Sequence, residues 1–334
     1  MSLHLLQDRA LAELCQARPG ETRLGQVVKL ASQFGDYQQA SASGCRFALL
    51  GVPEQIGPMA NCGKGGAHQG WQAFLRIFLN LQSNQYLAGE EVLLLGRLDC
   101  DDLQPAGTLE DLRHQCGLLD QRLVHVLKEI FAAGLTPILI GGGHNNAYGL
   151  IRACSEYLGQ PLAVTNFDPH GDFRQMEGRH SGNPFRYACH EGYLSHYAIL
   201  GLHEQKNSRE ALEALGECGF PWYSIQQLRW RRELSFEQAM EKVCAYLQAS
   251  NRPIGLELDM DAISDMPTSA ITSAGMSLDD AIHYVYRMAE QKQVQYLHLA
   301  EAAPERHPSG PDAGARVTGQ ALAELVCTFI RARR

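Results

Sequence analysis

From Arg46 onward the chain alternates strand-sized apolar runs with glycine-rich or polar loops and helical stretches. The runs are RFALLGV (46–52), EVLLLG (91–96), TPILIG (136–141), PLAVTNF (161–167), YAILGL (197–202), FPWYS (220–224), PIGLELD (253–259) and QYLHLA (295–300). Helical periodicity fills Thr108 to Ala133, Asn146 to Leu158, Ser235 to Gln248 and Ser277 to Gln291. Such alternation predicts an α/β fold, a mostly parallel sheet of about eight strands with helices on both faces. No repeat and no Pro-rich or Ser-rich linker interrupts 46–334, which predicts a single domain there. Residues 1–44 read as an N-terminal helical extension with a polar linker from Asp36 to Ser43, and no chemistry is assigned to them. In sheets of this kind sites form at the carboxyl ends of the strands, so those ends are where chemistry is sought.

Composition narrows the field. The chain has 334 residues with 29 basic and 37 acidic side chains, a formal charge of −8. That excludes a polybasic nucleic-acid binder. No apolar run approaches the ~18 residues of a membrane helix, and the start lacks a secretory signal pattern. The ten cysteines form no CxxC pair, so reduced thiols in a cytoplasm are expected, without a disulfide framework or structural zinc.

Four strand ends carry the candidate chemistry. ILIGGGHNNAYG (138–149) misses the dinucleotide pattern because Asn146 takes its last glycine position, and no GxxxxGK[ST] loop exists. The glycines can instead turn the backbone and deliver His144 into a cleft, although a hydrogen-bonded or capping histidine fits as well. NFDPHGDFR (166–174) sets Asp168, His170 and Asp172 at i, i+2 and i+4, which in extended chain puts all three on one side. Adjacent anionic and ligating groups of this kind repel unless a cation sits among them. Carboxylates with imidazole suit Mn²⁺, Mg²⁺, Zn²⁺ or Fe²⁺. IGLELDMDAISD (254–265) adds Asp259 and Asp261, with Glu257 facing elsewhere or supporting from behind. Glu301 ends the last run, as a site residue or a solvated loop glutamate. Two imidazoles and four carboxylates are too many for one ion and suit two, a pair able to deliver hydroxide at neutral pH.

GVPEQIGPMANCGKGGAHQG (51–70), GGGH (141–144), DPHGDFR (168–174), ELDMD (257–261) and LAEAAP (299–304) together resemble the ureohydrolases, the family of arginase, agmatinase and formimidoylglutamase. The resemblance covers about residues 45–330 and implies a three-layer, arginase-like α/β/α fold with two Mn²⁺ per subunit. It implies one metal on His144, Asp168, Asp172 and Asp259, and a second on His170, Asp168, Asp259 and Asp261, with Asp168 and Asp259 bridging. Glu301 would meet the amidine of the substrate, and a metal-bridging hydroxide would attack its carbon, making Glu301 and Asp172 the catalytic pair. The segment 168–192, with Arg174 and SGNPFR (181–186), is most similar to formimidoylglutamases. That implies cleavage of N-formimidoyl-L-glutamate to glutamate and formamide, with Arg174, Ser181, Asn183 and Arg186 on the substrate. The arginines fit ion pairs equally well. Arginases carry a proton-shuttling histidine where Phe185 stands here. Pro169, Gly171, Asn145, Ser264 and Ala303 depart from the usual residues around the ligands, which bears on metal affinity, rate and substrate.

Two other functions remain open at this stage: a guanidinium ureohydrolase releasing urea from arginine, agmatine or guanidinobutyrate, and a catalytically degenerate homologue that binds metal or an amino acid. The expected partner is a small amidine or guanidinium compound, with no nucleic acid and no membrane, and a homo-oligomer is expected by analogy.

Overall fold

In the computed structural model, which describes residues 3–333, ten strands form one sheet. They are β1 (Leu3–Leu5), β2 (Lys29–Leu30), β3 (Phe47–Gly51), β4 (Val92–Leu98), β5 (Thr136–Ile140), β6 (Leu162–Phe167), β7 (Leu194–Leu202), β8 (Trp222–Ser224), β9 (Ile254–Asp259) and β10 (Val294–Ala300). Their order is β1-β4-β3-β5-β10-β9-β6-β7-β8, with β2 also pairing β4. Every pairing is parallel except β1 with β4.

The eight strands expected from the apolar runs are all present. β1 and β2 are the additional two, and they come from the stretch expected to be helical. Leu3, His4 and Leu5 pair with Leu98, Arg97 and Gly96, covering the edge of the parallel sheet. The expected polar linker is also corrected, because Tyr37–Ala42 is a helix. Its N-cap Asp36 accepts a hydrogen bond from the Gln39 amide at 2.7 Å.

Alternate residues of each central strand enter opposite cores. Leu49, Leu94 and Ile138 pack on one face, while Ala48, Leu50, Leu93, Leu95 and Leu139 pack on the other. This two-sided burial is why the runs are continuously apolar rather than alternating. Three of the four helices expected between them start on capping boxes, at Thr108/Asp111, Ser235/Gln238 and Ser277/Asp280. The ten cysteines are free, as expected. Among the described residues no helix is long and apolar enough to cross a membrane.

Candidate metal centre

Four adjacent strands, β5, β10, β9 and β6, end at one edge of the sheet, and each hands over one chemical group. His144 follows β5, Glu301 follows β10, Asp259 closes β9 and Asp168 follows β6. The glycine turn after β5 acts as the sequence suggests. Gly141 and Gly142 have φ of 87° and 73°, a region open to glycine without strain. A side chain on Gly142 would meet Asn146 and Glu54 at 2.4 and 2.9 Å. Glu54 holds this turn from behind, accepting from the Gly143 amide at 2.6 Å and the Asn146 amide group at 3.0 Å.

The two Asp motifs share one local device. His170 N donates to Asp168 Oδ1 at 2.6 Å, and Asp261 N donates to Asp259 Oδ1 at 2.8 Å. Each is an aspartate bonding the backbone two residues on, which curls the chain and brings the second ligand beside the first. The expectation that Asp168, His170 and Asp172 align along extended chain is therefore corrected. β6 stops at Phe167, and Asp172 reaches the cluster from a left-handed turn with φ of 44°.

These turns produce two groups of potential ligands joined through Asp168: His144, Asp168, Asp172 and Asp259, then Asp168, His170 and Asp261. His144 Nδ1 lies 3.1 Å from Asp168, 3.1 Å from Asp172 and 3.3 Å from Asp259, yet hydrogen-bonds to none of them. Three oxygens ringed around one unbonded nitrogen suit a cation at their centre better than a proton on any one line. His170 Nδ1 stands 3.5 Å from Asp168 and 3.4 Å from Asp261, and one oxygen of Asp261 is buried without a partner. Of the two aspartates expected to bridge, Asp168 stands in both groups and Asp259 in the first, and each also turns one oxygen to the backbone amide two residues on.

Electrostatics tell the same story. Burial pushes Asp172 up to about 6, helped by the neighbouring Asp168 charge. Burial also raises Asp259 and Asp261, with nearby carboxylates adding to it. Burial works against ionised Asp168 too, but His144 and His170 hold it below the usual carboxylate range. Burial disfavours charge on His170, and Asp261 and Asp168 outweigh it, raising the ring to about 10. Carboxylates crowded in low dielectric retain protons unless cations replace them, so the donor set fits a pair of divalent ions.

Behind His144, Nε2 lies 3.4 Å from Glu257 Oε2, which also meets His298 Nδ1 at 2.6 Å, while Tyr296 donates to Glu257 Oε1 at 2.8 Å. Nε2 forms no hydrogen bond, so Glu257 faces the ring from behind as a nearby charge, the position from which carboxylates orient metal-binding histidines. Glu301 has a φ of 66° and accepts from the His144 amide through Oε1 at 3.1 Å, while Oε2 is buried and unpartnered. Burial, with Asp261 and Asp172 adding, raises its carboxyl to about 8.

A cavity of about 550 Å³ opens over His170, Asp172, Asp259, Asp261 and Glu301. Arg174 and Ser181 line it, but Arg186 and Asn183 are not in its wall. Asn183 is buried with its amide engaged on both sides, accepting from Arg179 and donating to the Gln175 and Gly178 carbonyls at 2.8, 3.0 and 2.9 Å. Arg186 pairs with Glu210 and lies over Phe173. Phe185 is buried, stacked on Tyr197 with its edge to His144.

Residues 45–330 match the arginase family. The chain belongs to that family. A formimidoylglutamase from Hahella chejuensis is 31% identical over 203 residues, 58% of this chain and 57% of that protein. One from Salmonella newport is 26% identical over 317 residues, 90% of each chain. Among solved structures, formimidoylglutamase from Bacillus subtilis superposes with a TM-score of 0.76 at 19% identity, covering 95% of this chain and 93% of that one. A formiminoglutamase from Trypanosoma cruzi, solved with Mn²⁺, gives 0.69 at 19% identity, covering 93% and 99%. The three-layer arginase fold expected from the motifs is the fold found. This arginase-family chain is a formimidoylglutamase-like hydrolase acting on amidine C–N bonds.

Proposed function

We propose that the chain is a binuclear manganese hydrolase that converts N-formimidoyl-L-glutamate and water to glutamate and formamide. The observation that carries the reading is the linkage of two ligand groups through Asp168 beside the free oxygen of Glu301. The formimidoylglutamase names of the relatives and the Mn²⁺ in the Trypanosoma cruzi structure support the substrate and the metal.

Bound to His144, Asp168, Asp172 and Asp259 on one side and His170, Asp168 and Asp261 on the other, a pair of divalent cations supplies the Lewis acidity that makes water a nucleophile near neutral pH. Glu301 Oε2 binds the planar amidinium, whose N–H fork matches a carboxylate. Asp172, in the cavity floor, takes the proton of the attacking water on a carboxylate oxygen and returns it to the departing glutamate nitrogen as the C–N bond breaks. Glu257, itself held by His298, keeps a negative charge behind the His144 ring throughout. Arg174 and Ser181 stand where the glutamate end lies. Phe185 leaves an apolar surface beside His144, so no ring nitrogen there relays protons. By family analogy the enzyme works in the cytoplasm as a homo-oligomer.

Manganese-loaded protein is to be assayed on N-formimidoyl-L-glutamate, arginine, agmatine and guanidinobutyrate, with formamide and urea resolved. Formamide with equimolar glutamate, and no urea, is the expected outcome. Turnover of a guanidinium compound with formimidoylglutamate untouched would overturn the substrate, and no turnover of either would favour a binding homologue.

A further inference from the structure

Resting on that reading of the reaction, a question is left at the other end of the cavity: which group recognises the acidic end of the substrate? Sequence motifs point to Arg174 and Arg186, but the structure commits both elsewhere. Arg174 donates to Asn61 at 2.6 Å and to Glu177 at 3.0 Å, and Arg186 pairs with Glu210. Glu177 and Glu210 both line the cavity, so each arginine neutralises a wall acid and adds no net positive charge.

Lys206 differs. It lines the same cavity as Asp261 and Glu301, its ammonium is buried, and that ammonium has no hydrogen-bond partner. The ammonium bonds to no carboxylate, although its charge is close enough to favour ionised Asp261. A buried ammonium with three unused donors is costly unless an anion arrives.

Its position is also fixed. Lys206 ends the turn Glu204–Lys206 after β7, and its amide donates to the His203 carbonyl at 3.0 Å. The next residue bolts this turn to the metal-site loop: Asn207 donates to the Pro169 carbonyl at 2.9 Å and accepts from the Gly171 amide at 2.7 Å. His203 N adds a bond to the Pro169 carbonyl at 2.8 Å. A carboxylate bound by Lys206 is thereby held at a set distance from the residues that meet the amidine.

We propose that Lys206 is the specificity-determining cation of this site, binding a carboxylate at the amino-acid end of the substrate and selecting acidic amidines over neutral or cationic ones. The lysine supplies the unpaired positive charge that the two arginines do not.

The test uses manganese-loaded holoenzyme as wild type, Lys206→Met and Lys206→Arg, with calorimetric binding of glutarate and its neutral diamide, glutaramide. Lys206→Met is expected to weaken glutarate by ~10–100-fold, the value of a hydrogen bond to a charged group, and to leave glutaramide unchanged. KM for N-formimidoyl-L-glutamate should rise by a similar factor with little change in kcat. Lys206→Arg should recover part of the glutarate affinity, and both variants should keep wild-type manganese content and melting temperature. Equal glutarate binding by wild type and Lys206→Met would overturn the assignment, as would glutarate binding too weak to measure in wild type. So would loss of manganese from Lys206→Met with glutarate affinity intact in the reloaded protein, which would make the lysine a counter-charge to Asp261. Should wild type release no formamide while glutarate binding still depends on Lys206, the substrate reading falls and the anion site stands.

Discussion

Two parts of this molecule gather a histidine and aspartates at nearly the same distances. His4 Nε2 lies 3.1 Å from Asp99 and 3.2 Å from Asp101, while His144 Nδ1 lies 3.1, 3.1 and 3.3 Å from Asp168, Asp172 and Asp259. The first cluster sits at the β1 edge of the sheet, open to water, with Arg97 on Asp101 at 2.7 Å. A hydrogen bond from the Asp101 amide lowers the Asp99 carboxyl, and Arg97 lowers that of Asp101. Burial raises Asp172 and Asp259 in the other cluster. Identical donors are at ease in one place and in conflict in the other. What separates a surface charge pattern from a candidate metal centre is that the buried acids have neither solvent nor arginine to satisfy them.

Three variants sharpen this contrast. Asp168→Asn removes the carboxylate that both ligand groups share. Manganese binding should be lost and turnover should fall by about 10³-fold or more, the scale of Lewis-acid stabilisation. Manganese at 100 times its dissociation constant should stabilise wild type by about 2.7 kcal/mol, and this variant by almost nothing, which thermal unfolding with and without metal would show. Glu257→Gln leaves every ligand in place but removes the negative charge 3.4 Å behind His144. Metal affinity or turnover should drop by about 10–100-fold, read by metal titration and by activity at saturating manganese. Combined His4→Ala, Asp99→Asn and Asp101→Asn should change stability by no more than about 0.5 kcal/mol and leave bound manganese unchanged, checked by urea unfolding and elemental analysis. A metal loss from this last variant would mean that exposure does not distinguish the two clusters.

The ligand residues were legible because each motif is local. Asp168, His170 and Asp172 lie within five consecutive positions, as Asp259 and Asp261 lie within three, so the donors stay close in the chain and the local turns bring them together. Glu54 and Glu257 were harder to read. Glu54 sits far upstream of the glycine turn it supports, and Glu257 is one acid in an apolar strand whose neighbours, His144 after β5 and His298 in β10, come from elsewhere in the chain. Lys206 gave no signal at all, since nothing near it in sequence says that its ammonium is buried in the cavity. Asn183 shows the reverse: its motif is recognisable, but the amide stabilises its own loop. The strands were legible wherever both faces are buried. β1 and β2, three and two residues long, are too short to carry a periodicity.

The place of β10 has a consequence for how the centre comes into being. β5 and β9 do not touch; β10, at residues 294–300, lies between them and pairs with both. During synthesis the strands up to β5 and those from β6 to β9 exist as separate half-sheets, with His144 on one and the four aspartates on the other. Contacts between residues so distant in the chain form late and slowly. Within the sheet only the arrival of β10 joins the halves, which otherwise meet through loop contacts such as Arg179 on Asp120 and Ser181 on Gly57, and the residue that follows β10 is Glu301. The half-site that holds the histidine, the half-site that holds the acids and the carboxylate proposed to meet the substrate are completed by one event, so a nascent chain has no working centre to misuse before its fold is closed.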